Sequence, residues 1–166
     1  MKNKGVGIMS ESFGEVIQGT PKDIDLWMKV VHNVSPGFPG LETEEALEEH
    51  KNTVLRFMRE GRALCIKEKQ GQSIVGVLLY SKKHNMICCL AVDPFFRHQG
   101  IASMLLEEAI RSLDITRFIT VSTFRQEDPK GAAPRALYKK FGFVEGDLTE
   151  EFGYPNQVFL LPPSIS

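Results

Sequence analysis

Residues 91–110 read AVDPFFRHQGIASMLLEEAI, and the rest of the chain is best interpreted outward from this stretch. An apolar run ends at Val92 and is followed by a proline and two phenylalanines. The start of a predicted helix then contains Arg97, Gly100 and Ala102. The N-terminus of a helix carries about half a positive charge and several unpaired N–H groups, so it attracts anions. Because Gly100 and Ala102 expose the backbone and Arg97 adds a cation, the junction predicts an anion site.

A simpler interpretation of the same junction is a tight turn at Gly100 beside a solvated arginine. Two common nucleotide-binding patterns are absent from the sequence, namely G-x-x-x-x-G-K-[ST] and a G-x-G-x-x-G after a first strand. The choice between an anion site and a plain turn therefore depends on the segments around the junction.

Those segments predict a mixed α and β layout. Strands are expected at 63–68, 73–81 and 86–92, separated by the turns KQGQ and KKHN, which makes an antiparallel meander. The helix after the junction places apolar residues on one face for three turns. Further strands are predicted at 13–18, 118–123, 143–147 and 157–161, and further helices from Thr20-Pro21, from Thr43 and from Pro134.

Composition limits the classes of protein that fit. The chain has 166 residues, 42% of them hydrophobic and 25% charged, which suits one domain over residues 13–166. Its net charge of −1 and lack of a basic stripe argue against nucleic acid as a partner. The longest apolar stretch, 86–92, is too short to span a membrane. Residues 1–12 are expected to be a flexible N-terminus without a secretory signal, which favours a cytoplasmic protein, and the three cysteines show no metal-binding spacing.

Two stretches resemble a known family. LAVDPFFRHQGIASMLLEEA, residues 90–109, resembles motif A of the GNAT (Gcn5-related) N-acetyltransferases, in which Q/R-x-x-G-x-G/A follows a V-x-P strand end. RALYKKFGF, residues 135–143, is similar to the family's second signature, a Leu-Tyr on a short helix ended by Gly-Phe. The resemblance covers roughly residues 13–161. It implies the acyl-CoA N-acyltransferase fold: an α/β (α+β) domain whose mixed, mostly antiparallel sheet has about six to seven strands with flanking helices.

The resemblance also implies acetyl-CoA as co-substrate. In the family, loop amides cradle the pyrophosphate, and the pantetheine arm pairs with the end of the preceding strand. An exposed strand edge offers unpaired N–H and C=O groups to such an amide-rich arm. Carried over to this chain, the binding residues are Leu90, Ala91, Val92, Arg97, His98, Gln99, Gly100, Ile101, Ala102 and Ser103.

Tyr138 matches the tyrosine that protonates the leaving thiolate in many relatives. A phenol with a pKa near 10 is uncharged at neutral pH and can give its proton to a forming thiolate whose pKa is about 8.5. The alternative is that Tyr138 only packs against the sheet.

Two positions depart from the family pattern. Gly131 stands where many relatives carry an asparagine that contacts pantetheine, and Met86 stands where some histone-type relatives place a glutamate base. Since no carboxylate lies between Met86 and Val92, we expect proton transfer through water or a weakly basic acceptor amine rather than a direct base.

The acceptor side is the least constrained part of the sequence. Phe38, in the loop SPGFPG, is either a wall of the acceptor cleft or an anchor of the loop. Thr123 and Arg125 follow a strand and could contact the acceptor, although Arg125 could equally pair with Glu127. An acidic run either attracts a cationic amine or forms a solvated helix start; its members are Glu42, Glu44, Glu45, Glu48 and Glu49.

Together these features predict an acetyl-CoA-dependent N-acetyltransferase. The expected acceptor is the primary amine of a small molecule or peptide, which attacks the thioester directly in a ternary complex. A non-catalytic acyl-CoA-binding sensor or partner module is the alternative, supported by Gly131 and Met86. Because dimers are common among relatives, a homodimer is a further expectation.

Overall fold

Seven strands form one mixed sheet in the computed structural model, which describes residues 12–164. The strands are β1 (Ile17–Gln18), β2 (Ala63–Lys67), β3 (Ile74–Ser81), β4 (Met86–Val92), β5 (Ile119–Phe124), β6 (Val144–Glu151) and β7 (Tyr154–Leu161). Their order is β1-β2-β3-β4-β5-β7-β6, with β4 and β5 parallel and the other neighbours antiparallel. The predicted mixed, mostly antiparallel sheet is confirmed. The N-terminus predicted to be flexible, 1–12, lies outside the described residues apart from Ser12.

Four α-helices of the described residues cover the two faces of this sheet. They are α1 (Ile24–Val34), α2 (Glu44–Arg59), α3 (Ile101–Ser112) and α4 (Ala132–Lys140). Trp27 and Val54 belong to the hydrophobic cluster that α1 and α2 form on one face of β2–β4. Leu105 and Tyr138 belong to a second cluster, which α3 and α4 form on the other face. Leu105, Leu106 and Ala109 are buried, so α3 packs the apolar face that its sequence spacing predicts.

Within residues 12–164, none of the helices combines the length and apolar character needed to cross a membrane.

The sheet opens between β4 and β5. The two strands pair only at Met86 with Thr120 and at Ile87 with Val121. On the other side of β4, Leu79 pairs with Cys89 and Tyr80 with Ile87, so Cys88 is an extra residue that forms a bulge. The bulge coincides with the point where β5 diverges, and the rest of β4 therefore has no strand partner on that side.

Two predicted boundaries in the first strand and the last helix are wrong. The first strand covers only Ile17–Gln18, and Phe13 forms an isolated bridge with Glu68. The last helix begins at Ala132 rather than at Pro134, because the Asp128 carboxylate caps a 3₁₀ turn that leads straight into it. Pro134 still lies in the first helical turn, where a missing N–H costs no hydrogen bond.

The closing strands are much longer than the predicted 143–147 and 157–161. β6 and β7 continue through the polar segment between them and are joined by a tight turn at Phe152 and Gly153, whose φ angles are 53° and 74°. Paired positive φ angles are typical of two-residue hairpin turns. The sequence pattern misses this extension because β6 is an edge strand with mostly exposed, polar side chains.

Candidate active site

The junction between β4 and α3 presents free backbone amides. Gly100 takes the left-handed conformation, with φ of 81°, and no side chain caps the helix. The N–H groups of Ile101, Ala102 and Ser103 donate to no residue among those the structure describes. Glycine adopts the left-handed conformation at the lowest energetic cost, which explains why Gly100 occupies this position. These amides and the positive end of the α3 dipole form an anion-binding arrangement.

A buried aspartate holds the turn that precedes these amides. Asp93 accepts a hydrogen bond from the backbone N–H of Phe95 at 3.0 Å and another from Asn33 Nδ2, on α1, at 2.9 Å. The carboxylate is thereby engaged in fixing the end of β4 to α1. The sequence singles out this turn but gives no sign of the Asn33 contact, which joins residues sixty positions apart.

Side chains around the junction divide into solvent-facing and core-facing groups. Arg97 and His98 are exposed, and Gln99 is half-buried. Ile101 is 1% exposed and belongs to the core, so only its backbone can contact a ligand. Arg97 and His98 are thus free to approach an anion that is bound at the α3 amides.

The free edge of β4 lies beside this junction. From Cys88 to Val92 the strand has no strand partner on the β5 side among residues 12–164, although its other edge pairs with β3 as far as Val92. The edge therefore offers backbone N–H and C=O groups to an extended, amide-containing molecule. Coenzyme A has a diphosphate and such an arm, and the described residues fit both: the α3 amides with Arg97 suit the diphosphate, and Leu90, Ala91 and Val92 suit the arm.

Tyr138 lies under the sheet near this opening. Its ring packs against Phe143 and Phe159, with centroids 5.6 Å and 6.1 Å away. Burial raises the pKa of Tyr138 well above its usual value, and the nearby Cys89 thiol raises it further. The phenol therefore keeps its proton at neutral and mildly alkaline pH.

The Tyr138 hydroxyl makes no hydrogen bond to any described residue. Among the described residues, only the side-chain oxygens of Thr149 and Asn156 are both fully buried and without a hydrogen-bond partner. Since the Tyr138 hydroxyl has no partner either, its oxygen retains a small contact with solvent. Cys89, whose charge acts on the phenol, lies on β4 just beyond the last pair with β5.

Arg135 is a site residue that the sequence analysis does not identify. It is 5% exposed, and its guanidinium donates to the Phe124 carbonyl at 2.9 Å and to Gln157 Oε1 at 2.8 Å. It also forms an ion pair with Glu145. Arg135 is three residues before Tyr138 on α4, so these bonds fix the helix that carries the tyrosine. The only sequence signal is its place inside RALYKKFGF, since the pattern does not show that this arginine is buried.

The structure explains one departure from the family pattern. A Cβ on Gly131 would lie 3.0 Å from Phe124 Cβ and 3.1 Å from the Arg125 carbonyl oxygen. An asparagine does not fit there unless the chain moves. The pantetheine contact that this asparagine makes in relatives is therefore absent at residue 131.

The predicted acceptor residues lie in three different environments. Phe38 is partly buried against the α1/α2 cluster. Thr123 is buried and pairs with Gln157. Arg125 donates to the carbonyls of Asn156 and Thr149, at 3.1 Å and 2.9 Å, and forms no ion pair with Glu127 among the described residues.

The loop between α1 and α2 contacts the β6–β7 hairpin. Gly40, in the loop between α1 and α2, lies so close to the Phe152 ring that a Cβ on it would be 2.9 Å from the ring carbons. The helix loop and the tip of the β6–β7 hairpin thus meet. The sequence gives no hint of this contact.

Comparison with known proteins agrees with these features. A profile of the acetyltransferase (GNAT) domain matches residues 60–145. No curated protein matches the sequence. A GNAT-family acetyltransferase from Bacillus cereus ATCC 10987 has a similar structure, with 21% identity, a TM-score of 0.67, and coverage of 92% of this chain and 99% of that one.

Two further solved structures share the fold. The ribosomal-protein-S18-alanine N-acetyltransferase of Escherichia coli is 18% identical, with a TM-score of 0.66 and coverage of 93% of this chain and 96% of that one. The PaiA N-acetyltransferase of Thermoplasma acidophilum, solved in complex with coenzyme A, is 16% identical, with a TM-score of 0.61 and coverage of 91% and 99%. Since the matched domain spans just over half of the chain and contains both sequence motifs, this protein belongs to the GNAT family of N-acetyltransferases, with acetyl-CoA as its co-substrate.

Proposed function

We propose that the protein acetylates the primary amine of a small molecule or peptide by direct attack within a ternary complex, with Tyr138 as the proton donor. Acetyl-CoA supplies the acetyl group as a thioester. The N–C bond to the acceptor forms as the C–S bond breaks, the proton on Tyr138 Oη passes to the sulfur, and the proton that the amine nitrogen loses returns to the phenolate through water. The observation that carries this proposal is a buried, protonated phenol whose hydroxyl makes no hydrogen bond to any described residue and which interacts electrostatically with Cys89, on the part of β4 that lies beyond its pairs with β5.

The backbone groups have a binding and orienting role. The amides at the start of α3 and the cation of Arg97 hold the diphosphate, and the free edge of β4 holds the arm beside Tyr138. Charge-assisted hydrogen bonds of this kind contribute about 1.5–3 kcal/mol each. The transferred group is then fixed relative to the phenol, which lowers the entropic part of the barrier.

Removal of the acceptor's proton depends on the amine. No carboxylate lies on β4, and we expect water to carry the proton of the ammonium form to bulk solvent. Deprotonation at pH 7 costs roughly 4–5 kcal/mol for a lysine-like amine with a pKa of about 10.4, but little more than about 1 kcal/mol for an α-amine with a pKa near 8. We therefore expect the enzyme to favour less basic amines among acceptors that bind equally well.

Thiol release tests the proposal directly. The protein is incubated with acetyl-CoA and a panel of primary amines of graded pKa, and free thiol and acetylated amine are measured together. Equal amounts of both products support transfer. If CoA binds but no amine in the panel gives thiol release, the protein is a non-catalytic acyl-CoA-binding module instead.

A further inference from the structure

We propose that Asn85 is a positioning residue that fixes the closed end of the β4–β5 opening and thereby limits the length of the acyl group that the enzyme transfers. The closed end is defined here as the two residue pairs that join these strands, Met86 with Thr120 and Ile87 with Val121. This inference rests on the proposed function, in which the CoA arm lies along β4, and it names the donor class as short-chain acyl-CoA thioesters.

Asn85 ties the start of β4 to the connection between α3 and β5. Its side-chain amide donates hydrogen bonds to the carbonyl oxygens of Asp114 and Phe118, both at 2.9 Å. The amide oxygen accepts a hydrogen bond from the Asp114 N–H at 2.8 Å. The backbone carbonyl of Asn85 also accepts a hydrogen bond from the Thr120 N–H at 3.2 Å. Both amide hydrogens and the amide oxygen are therefore engaged with one other segment.

These bonds are unusual for an asparagine in a hairpin turn. Such asparagines commonly bond to backbone groups of their own turn, whereas Asp114 and Phe118 lie 29 and 33 residues further along the chain. Asn85 is also 1% exposed and has a φ of 51°, in the left-handed region that most residues other than glycine avoid. A buried residue in this conformation, with every side-chain bond made to another segment, points to a need for exact placement.

The bonds of Asn85 are adjacent to the closed end. Met86 and Ile87 follow it directly, and among the described residues they alone pair β4 with β5. Ile87 and Val121 are buried in the same hydrophobic cluster, but hydrophobic contact has no directional preference. Hydrogen bonds have to set where β5 meets β4, and the bonds of Asn85 supply more of them than the two residue pairs alone provide.

The proposed path of the CoA arm leads to this closed end. With the diphosphate at the α3 amides and the arm along Leu90 to Val92, the thioester comes to lie beside Cys88 and Cys89. Cys88 is four residues before Val92, which corresponds to about 13 Å of extended strand. The next residue, Ile87, is already paired with β5, so the opening ends about 3 Å beyond the thioester. A two-carbon acyl group fits this space better than a four-carbon group.

Asn85→Gly tests the role through acyl-chain selectivity. Glycine adopts a φ of 51° without strain but lacks the side-chain amide, so this variant removes the bonds and keeps the backbone conformation. The kcat/KM values for acetyl-CoA and butyryl-CoA are measured with the same amine. The wild-type protein should favour acetyl-CoA at least about tenfold, and Asn85→Gly should lower this ratio by about threefold or more.

The ratio separates a positioning role from a loss of folded protein. Both thioesters meet the same fraction of folded enzyme, so unfolding lowers the two kcat/KM values equally and leaves their ratio unchanged. Val54→Ala is the matched control, because Val54 is 0% exposed and packs in the cluster formed by α1 and α2. That variant should destabilise the protein through a cavity and keep the wild-type ratio.

Amide hydrogen exchange measures the closed end without using activity. Asn85→Gly should speed exchange at residues 119–122, which include the Thr120 N–H that bonds to residue 85, and should leave residues 63–67 of β2 unchanged. Val54→Ala should not single out residues 119–122.

The two measurements decide the proposal together. A lower acetyl preference and faster exchange at residues 119–122 in Asn85→Gly, with the wild-type ratio in Val54→Ala, support it. Equal kcat/KM for both thioesters in the wild-type protein overturns it. An unchanged ratio in Asn85→Gly, or an equal fall of the ratio in Val54→Ala, also overturns it.

Calorimetry keeps this inference apart from the proposed function. Tighter binding of acetyl-CoA than of butyryl-CoA, with a preference that Asn85→Gly lowers, in a protein that acetylates no amine would sustain the inference and contradict the proposed function. Acetyl transfer that depends on Tyr138, with an acyl-chain preference that Asn85→Gly leaves unchanged, would sustain the function and contradict the inference.

Discussion

Ile101 Cγ2 lies only 2.5 Å from the position that a Cβ on Gly76 would occupy. The first turn of α3 is thus seated directly on β3, at the level where Gly76 pairs with Val92 at the end of β4. This contact fixes the height of the α3 amides relative to the free edge of β4, and so links packing in the core to the cofactor site.

Gly76→Ala should destabilise the protein and weaken CoA binding together. The added methyl group collides with Ile101 and Leu105, so α3 has to shift, at a cost of about 1–3 kcal/mol. Gly37→Ala is the control, because a Cβ there meets nothing within 4 Å. Thermal unfolding and calorimetry measure the two effects, and an unchanged CoA affinity in a destabilised Gly76→Ala protein would contradict the link.

Gly100→Ala tests the anion site through backbone conformation. The left-handed conformation costs a non-glycine residue about 1–2 kcal/mol, and any relaxation turns the α3 amides away from the diphosphate. Gly61→Ala carries the same kind of strain, with φ of 70° and open space around the Cβ, but lies at the end of α2. We expect both variants to lose stability and only Gly100→Ala to lose CoA affinity, by about tenfold.

Tyr138→Phe should lower kcat by about 10²–10⁴-fold with little change in the affinity for CoA. Tyr80→Phe is the matched control, since its buried hydroxyl is already engaged and donates to the Gly61 carbonyl at 3.0 Å, just before β2. That control should cost about 1 kcal/mol of stability and leave turnover intact. Steady-state kinetics measure kcat for both variants. A wild-type kcat in Tyr138→Phe would show that this tyrosine is not the proton donor.

Gly131→Asn restores the residue that many relatives carry, yet it should harm this protein. The side chain has to displace Phe124 or the Arg125 carbonyl, which also loosens the β5–α4 connection that Arg135 braces. We expect a lower melting temperature and no gain in CoA affinity. Tighter CoA binding by a stable Gly131→Asn protein would show that the site tolerates the family residue.

Stability should fall as pH rises above about 9. Burial raises the pKa of the Cys65 thiol from 9.0 to about 12, and the charge of Asp23 adds to the effect. Because the unfolded thiol ionises first, the contribution is complete below its unfolded pKa and is lost as pH rises toward the folded pKa. By pH 10 the loss amounts to roughly 1–2 kcal/mol for this thiol.

Cys65→Ala should lessen this alkaline slope even though it creates a small cavity, and the part due to Cys89, whose pKa burial also raises to about 12, should remain. Denaturant unfolding at several pH values measures the free energy of unfolding for both proteins. Parallel curves for the variant and the wild-type protein between pH 8 and pH 10 would rule out Cys65 as the source.

Local sequence patterns predicted the parts of the fold that depend on interactions between residues close together in the sequence. The meander β2–β3–β4 and the start of α3 are apparent because apolar runs, turn residues and Gly100 fall next to one another in sequence. The full length of β6 and β7 is not apparent from the sequence, because the exposed edge strand β6 lacks alternating apolar residues.

Long-range contacts explain what the sequence could not show at the site. The Asp93–Asn33 bond, the buried position of Arg135 and the contact of Gly40 with Phe152 each join distant segments. Family likeness predicted the cofactor loop, but only the strand pairing shows where β4 and β5 separate.

Amide hydrogen exchange with and without CoA tests the central claim most directly. We predict that CoA slows exchange at residues 97–103 and along 88–92, while the β2–β3 turn is unaffected. Binding of CoA without protection of either segment, or no binding at all, would contradict the assignment of this junction as the cofactor site.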